Sequence, residues 1–317
     1  MNEVFADTSG WANYFVRTES FHQDAKGLMQ QWYKDQIRVI TINYILSELV
    51  VRRIIKENIT MAKELKNKPL VEAICEIRWR LKGTPPAPQI DPHYKLLLGR
   101  LFDRMIDDYP DHEQLPTATI PDEMAGHVVQ HRFRVAANSW PLVQVGPGIF
   151  SINSTADYKW DDFRPRVLSA IKKLYDAHPK VSDLQISNIL LRYIDAVDFD
   201  YRSNDSFEFL RNNLKLNISL PNNLFEKTDV ENKPSGFTWQ CSFKCNKPKG
   251  MITVRFASGK RKNISAVIWD TTVKSAGDDL PEMPKDFESW LDSAHDITDD
   301  WFFKMIDGEL ERRFSGE

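Results

Sequence analysis

The stretch Leu70-Val71-Glu72-Ala73-Ile74-Cys75-Glu76-Ile77-Arg78-Trp79-Arg80 decides the fold of most of this chain. Apolar and polar side chains alternate along it, and Ile74 is the single exception among the polar positions. A period of two is typical of a β-strand with one buried face and one wet face, a pattern that favours an antiparallel sheet over a buried parallel one. We therefore expect a long antiparallel strand at this point.

The segments that follow predict further antiparallel strands and amphipathic helices. Apolar residues recur at offsets of three and four, which predicts helices, in segments 94–108, 161–177, 207–214 and 287–314. Extended segments are predicted at 130–135, 142–145, 148–153, 183–200, 239–245, 250–256 and 264–271. The order strand, helix, strands, helix occurs twice and suggests two related halves, although no repeat is evident at residue level. We predict an α+β domain of antiparallel sheets covered by helices.

The first 65 residues have a different pattern. Short strand-like runs at 4–6 and 38–41 are separated by two helix-like segments, and a further helix is predicted at 43–55. This is a β-α-α-β-α opening of the α/β kind. Pro69 disfavours helix at Lys68 and marks a boundary. We therefore predict a truncated α/β segment over residues 1–65 and the α+β domain over residues 66–317.

Composition limits the class of protein. The 317 residues carry a net charge of −3, with 42% hydrophobic and 27% charged residues, as in folded water-soluble proteins. Three cysteines exclude a disulfide scaffold and fit a reducing compartment. The acidic start MNEVFADTSG does not fit a signal peptide, and no apolar run reaches the roughly 18 residues of a membrane span. We expect a cytoplasmic protein that does not associate with a membrane.

Asp7-Thr8-Ser9-Gly10-Trp11 follows the first strand, and Glu48 lies early on the third predicted helix. Together with His22, Thr41 and Leu46, these residues resemble the opening of PIN-domain ribonucleases. An aspartate at a strand end and a glutamate on a nearby helix can supply hard oxygen ligands for Mg²⁺ or Mn²⁺, which activates water for attack on a phosphate. The resemblance implies that Asp7 and Glu48 are catalytic metal ligands, with Thr8 or Ser9 as the hydroxyl beside Asp7.

The departure from the PIN pattern concerns the later acids. PIN domains carry a third and usually a fourth acid on later strand-helix units, and here the α/β pattern stops before them. Asp103 and Asp107 lie four apart, opposite the apolar side of a predicted helix, as on a solvated face. We interpret residues 1–65 as a remnant that needs no cofactor. The alternative is a Mg²⁺- or Mn²⁺-dependent ribonuclease whose site is completed by other residues or by a second subunit.

The remaining chain carries a second resemblance. The motif Asn67-Lys68-Pro69-Leu70 with the following strand, and a last helix bearing His295, Trp301 and Phe302, resemble a sporadically distributed, uncharacterised bacterial family over residues 66–314. This resemblance implies a domain boundary and no activity. Both resemblances imply a toxin–antitoxin or defence setting.

No common catalytic motif is present, such as a P-loop, G-x-G-x-x-G, G-x-S-x-G or H-E-x-x-H. Glu72 and Glu76 are about 13 Å apart on one strand, too far to share a proton, so we expect cross-strand salt bridges with Arg132 or Arg134, or a dimer seam. His295 is a candidate base, and the plainer interpretation is a helix-surface or interface histidine.

Basic residues cluster near the last predicted strands. They are Lys244, Lys247, Lys249, Lys260, Arg261 and Lys262. Hairpin tips could bring them into one patch, with Trp239, Phe243 and Phe256 as stacking surfaces for nucleic-acid bases. The alternative is that they are solvated edges that discourage aggregation. Lys260, Arg261 and Lys262 are the candidate nucleic-acid contacts.

From these patterns we predict a non-catalytic interaction or regulatory protein with a PIN-like remnant at its start. A homo-oligomer or a protein partner is expected, because half of an α/β sheet must cover its edge and its apolar face. The alternatives are the metal-dependent ribonuclease and an RNA or other nucleic-acid binder.

Overall fold

The computed structural model describes residues 3–5, 24–28, 31, 38–40, 65–83, 87–155 and 157–317. The chain divides into two compact units, Met1–Leu65 and Lys66–Glu317.

In the smaller unit, β1 (Glu3–Phe5) and β2 (Arg38–Ile40) form a parallel pair, with Val4 opposite Val39. Residues 24–28 between the two strands are helical. Parallel strands require a crossover connection, which is commonly a helix. These described residues therefore have the arrangement that an α/β pattern predicts, whereas the helix predicted at 43–55 lies outside them.

The larger unit is built on one nine-stranded sheet. Its strands are β3 (Leu70–Trp79), β4 (Asp111–Gln114), β5 (His131–Arg134), β6 (Leu142–Gly146), β7 (Ile149–Ser154), β8 (Ile186–Asp198), β9 (Thr238–Asn246), β10 (Lys249–Arg261) and β11 (Ile264–Ala276). Its α-helices are α1 (Tyr94–Met105), α2 (Trp160–Ala177), α3 (Ser206–Leu214), α4 (Phe287–Ile306) and α5 (Glu309–Ser315). This confirms the predicted α+β class, in which the strands form a single continuous sheet.

The strand order is β4-β5-β6-β7-β3-β8-β11-β10-β9, and every neighbouring pair is antiparallel. The order from the centre outward is β3, β7, β6, β5 on one side and β8, β11, β10, β9 on the other. Along the chain, α1 follows β3 and α3 follows β8, whereas α2 follows β7 and α4 follows β11. The two halves therefore share one topology, to which β4 and α5 are additions.

The core lies between one face of the sheet and three of the helices. Ala73, Cys75, Ile77 and Trp79 of β3 are all at most 1% exposed, whereas Glu72, Ile74, Glu76 and Arg78 point to the other face and are only half-buried. The same core contains Leu97 of α1, Val167 of α2 and Leu291 of α4. The alternation predicted for this strand is confirmed, and it separates a helix-covered face of the sheet from an opposite face.

The prediction of one helix over 287–314 was wrong, because α4 and α5 are separate. Gly308 between them has φ 110 and ψ −120, a conformation that side-chain-bearing residues rarely adopt. The edge strand β4 was not predicted at all. Its sequence, Asp-His-Glu-Gln, contains no residue type that favours strands.

Candidate functional site

The PIN-like candidates Asp7 and Glu48, together with Thr8, Ser9 and His22, lie outside the described residues. Within the described ranges, no group of three or more histidine, cysteine, aspartate or glutamate side chains could hold a metal ion.

The candidate nucleic-acid contacts lie at the β10–β11 turn. Lys262 and Asn263 form the turn with positive φ values of 48 and 69, and Lys260 and Lys262 are exposed. Arg261 has structural partners: its Nη2 donates to Asp198 Oδ1 at 2.9 Å and its Nη1 donates to the Ala196 carbonyl at 3.2 Å. Arg261 therefore connects the hairpin to β8, whereas Lys260 and Lys262 have no such partner among the described residues.

The six basic residues of the sequence prediction do not form one patch. Lys244, Lys247 and Lys249 flank the β9–β10 turn, at the opposite end of β10 from Lys260 and the β10–β11 turn. At about 3.3 Å per residue, β10 separates the two turns by about 40 Å. The structure therefore places the basic residues in two groups.

A different set of cations shares one surface. Met251 of β10 is the cross-strand neighbour of Lys244 on β9 and of Lys274 on β11. All three side chains therefore project from the face of the sheet that lies opposite the helix-covered face. Lys249 and Arg255 project from the same face of β10, at even offsets from Met251. We call Lys244, Lys249, Arg255 and Lys274 the cationic strip, and all four are exposed.

The strip has little compensating charge. None of its four residues has an ion-pair partner among the described residues. Asp270 is the only carboxylate on this face of β9, β10 and β11, and it is 8% exposed and accepts a 3.0 Å hydrogen bond from Arg192 Nη2. Unpaired exposed cations on adjacent strands produce a positive local potential, although the whole chain is slightly acidic.

The predicted stacking aromatics lie on the wrong side of the sheet for this strip. Trp239, Phe243 and Phe256 project from the helix-covered face, where Phe256 is 1% exposed. The ring of Phe243 contacts Trp301 of α4, with centroids 5.7 Å apart. The strip therefore offers charge and hydroxyl or amide side chains, and no aromatic platform from these three residues.

Sequence reasoning missed half of the strip, namely Arg255 and Lys274. The signal was present, because Lys249, Met251 and Arg255 alternate with buried apolar residues along β10. The predicted strand 250–256 already contained Arg255, and a period-two pattern that begins at Lys249 places Lys249 and Arg255 on one face. The role of Lys274 also needs the register of β10 against β11, which the sequence does not contain.

The expected partners of Glu72 and Glu76 were wrong. Glu72 Oε1 accepts from Asn153 Nδ2 at 2.7 Å, and Glu76 Oε1 accepts from Arg78 Nε at 2.6 Å. Arg132 and Arg134 both lie on β5, three strands away from β3, and pair with Glu113 on β4. Each carboxylate is therefore satisfied by a neighbour on its own or the adjacent strand.

His295 belongs to a packed aromatic cluster. Its Nδ1 lies 3.0 Å from the Tyr193 hydroxyl, which lies 2.8 Å from the Tyr158 hydroxyl, and the Trp160 ring stacks on it with centroids 3.7 Å apart. Burial lowers the pKa of His295 to about 4, so its imidazole is neutral at pH 7. The cluster joins α4, β8 and the start of α2 through neutral hydrogen bonds. His295 is half-buried on α4, and its roles as a base or as an interface histidine stay predictions.

Lys68 of the Asn67-Lys68-Pro69-Leu70 motif reaches the same cluster. Its Nζ donates to the Tyr158 carbonyl at 2.7 Å. The backbone N–H of Asn67 donates to the Phe314 carbonyl of α5 at 2.8 Å. The first residues of the larger unit are therefore fixed to its last helix and to the segment before α2.

Asp195 on β8 is a buried acid without a partner. It is 3% exposed, and no described residue forms a hydrogen bond or ion pair with its carboxyl group. Burial raises the pKa of Asp195 to about 8, so the group is mostly neutral at pH 7.

Comparison of the chain with protein-family models, with curated proteins and with solved structures gives no match. In the part of the chain that the structure describes, no helix has both the length and the apolar character needed to cross a membrane.

Proposed function

We propose that the larger unit is a non-catalytic binding module that takes an anionic polymer, with single-stranded RNA as the first candidate, on the cationic strip. The observation that carries this proposal is the exposure of Lys244, Lys249, Arg255 and Lys274 on one face of three adjacent strands without ion-pair partners among the described residues. A regulatory role in a toxin–antitoxin or defence setting, which the resemblances imply, is compatible with such a module.

Phosphate groups are the expected contacts. Lysine and arginine bind phosphates without reading sequence, and each neutralised phosphate releases counterions. Four contacts to a single strand predict that the logarithm of the association constant falls with the logarithm of salt concentration with a slope of about −3. Because the strip has no aromatic platform, we expect little preference for base sequence.

The packing and neutral charge of the Tyr158–Tyr193–His295 cluster favour a binding role over catalysis. His295 is neutral, stacked on Trp160 and hydrogen-bonded to Tyr193, so its position is explained by packing. The strip contains cations and no general base, which suits binding of an anion and supplies no proton acceptor for its cleavage.

Two charge-matched double variants test the proposal. In fluorescence anisotropy with labelled single-stranded RNA, we expect K244E/K274E to weaken binding by at least about tenfold and to flatten the salt dependence. The control K260E/K262E makes the same charge change at the β10–β11 turn and should retain most of the affinity. Equal loss in both variants would indicate a net-charge effect, and unchanged binding in K244E/K274E would exclude the strip.

A metal-dependent ribonuclease in residues 1–65 is the second candidate. The parallel pairing of β1 with β2 supports this candidate, because the PIN resemblance implies an α/β opening with Asp7 after the first strand and Glu48 after the second. We expect a working site to cleave single-stranded RNA with Mn²⁺ and to lose cleavage in both D7N and E48Q. Cleavage that survives both substitutions would come from a contaminant or another site, and this candidate would then be rejected.

A further inference from the structure

The strand β9 is an edge of the nine-stranded sheet that is long and poorly protected. Among the described strands it pairs with β10 alone, and it has nine residues, whereas the opposite edge, β4, has four. Its register with β10 is continuous, without a bulge, and its sequence contains no proline. Natural proteins usually shorten, bulge or charge an edge strand to prevent pairing with another chain, and β9 has only Lys244 for this purpose.

The direction of the free backbone groups follows from one hydrogen bond. Ser258 N donates to the Phe237 carbonyl at 3.0 Å, just before β9 begins. Hydrogen-bonded pairs alternate along an antiparallel ladder, so odd-numbered residues of β9 point their amides and carbonyls at β10. Gln240, Ser242 and Lys244 consequently direct theirs away from the sheet, and no other strand of the described chain pairs with them.

Apolar side chains accompany these free groups. Phe243 is 47% exposed, and Trp239 and Cys241 on the same face of β9 are partly exposed. An edge that combines unpaired backbone groups with exposed apolar side chains is a template for strand addition.

We infer that β9 pairs antiparallel with β9 of a second copy of this chain, about a twofold axis at Ser242. This register pairs all nine residues of the strand. It places Lys244, the only charged residue of β9, opposite the partner subunit's Gln240, so no like charges face each other. It also places Phe243 opposite the partner subunit's Cys241, which covers the exposed ring.

The pairing has a consequence for the cationic strip. A twofold axis perpendicular to the sheet keeps the same face of both copies on one side, so the two strips become neighbours on a continuous surface. Their mutual repulsion is relieved by a bound polyanion, so dimerisation and polyanion binding should strengthen each other. The dimer itself rests on the edge strand and does not depend on the proposed function.

Sedimentation velocity over a range of concentrations tests the dimer. We expect the wild-type chain to associate and F243K to remain monomeric, because the substitution places a charge beside the new strand pair. The matched control L96K changes a 65% exposed leucine on α1 and should associate like the wild type. Circular dichroism establishes that both variants are folded. A monomeric wild type without RNA, or association that persists in F243K, would overturn the inference.

A cysteine variant tests the register. In F243C, the new thiol lies opposite the partner subunit's Cys241 in a non-hydrogen-bonded pair, where Cα atoms are about 4.5 Å apart and within disulfide range. Mild oxidation should give a covalent dimer on a non-reducing gel, and C241S/F243C should not cross-link. Cross-linking that survives in C241S/F243C, or none in F243C, would contradict the register about Ser242. RNA binding by each variant is measured separately, so failure of the dimer is distinguishable from failure of the strip.

Discussion

At the scale of single residues, the contrast between Arg192 and Arg255 distinguishes structural from available charge. Both lie on the opposite face of the sheet beside Asp270, which is cross-strand from Arg255 and hydrogen-bonded to Arg192. Arg192 thereby satisfies the buried carboxylate and leaves the guanidinium of Arg255 exposed. Arg261 resembles Arg192 in this respect, because it forms an ion pair with Asp198. A count of basic residues therefore overstates the charge that a ligand can reach.

Asp195 gives a prediction about stability and pH. Its pKa is about 8 in the folded chain and near 3.9 when unfolded, so the folded state binds more protons over that interval. The Asp195 carboxyl group therefore lowers the free energy of unfolding as pH rises from about 4 to 8, by at most about 1.4 kcal/mol per pH unit. We expect D195N to remove this contribution and to gain stability relative to the wild type as pH rises from 5 to 8.

Urea unfolding at several pH values measures this effect. The difference between wild type and D195N isolates Asp195 from the other groups that titrate in the same interval. D103N, at an exposed position on α1, serves as the control and should follow the wild-type pH dependence. A D195N variant with the same slope as the wild type would show that Asp195 is ionised in the folded state.

At the scale of elements, local sequence patterns predicted most helices and strands because each buries one periodic face. The alternation along β3 and the three-and-four spacing of α1, α2 and α4 are direct consequences of burial against the sheet. Predictions from apolar periodicity failed where burial of side chains does not determine the backbone conformation. Gly308 interrupts an apolar period that continues on both sides, and β4 is a polar edge strand that only pairing with β5 defines.

The candidate sites show a similar limit. Lys244 and Lys249 were recognised from their positions near predicted strands. Their grouping with Arg255 and Lys274 depends on which face of its strand each side chain projects from, and on the register between the strands. The expected patch of hairpin tips failed because the β9–β10 and β10–β11 turns lie at opposite ends of the 13-residue strand β10. The Tyr158–Tyr193–His295 cluster joins residues more than 100 positions apart, and no local pattern carries that information.

At the scale of the whole molecule, the division into units separates two possible activities. Every residue of the cationic strip, the edge strand β9 and the helix-covered core belongs to Lys66–Glu317, whereas Asp7 and Glu48 belong to Met1–Leu65. A unit with its own hydrophobic core can fold alone. The motif Asn67-Lys68, tied to α5 and to Tyr158, begins this unit and should be retained in any truncation.

We therefore predict that a chain of residues 66–317 unfolds in one cooperative transition and binds single-stranded RNA within about twofold of the full-length affinity, because strip and core are both retained. Calorimetry and anisotropy at one salt concentration make the comparison. A matched truncation that starts at residue 70 loses Asn67 and Lys68 and should melt at a lower temperature, since their contacts with α5 and the Tyr158 carbonyl are removed. Binding that disappears from the otherwise folded 66–317 chain would assign RNA recognition to the first 65 residues and would exclude the strip as its principal site.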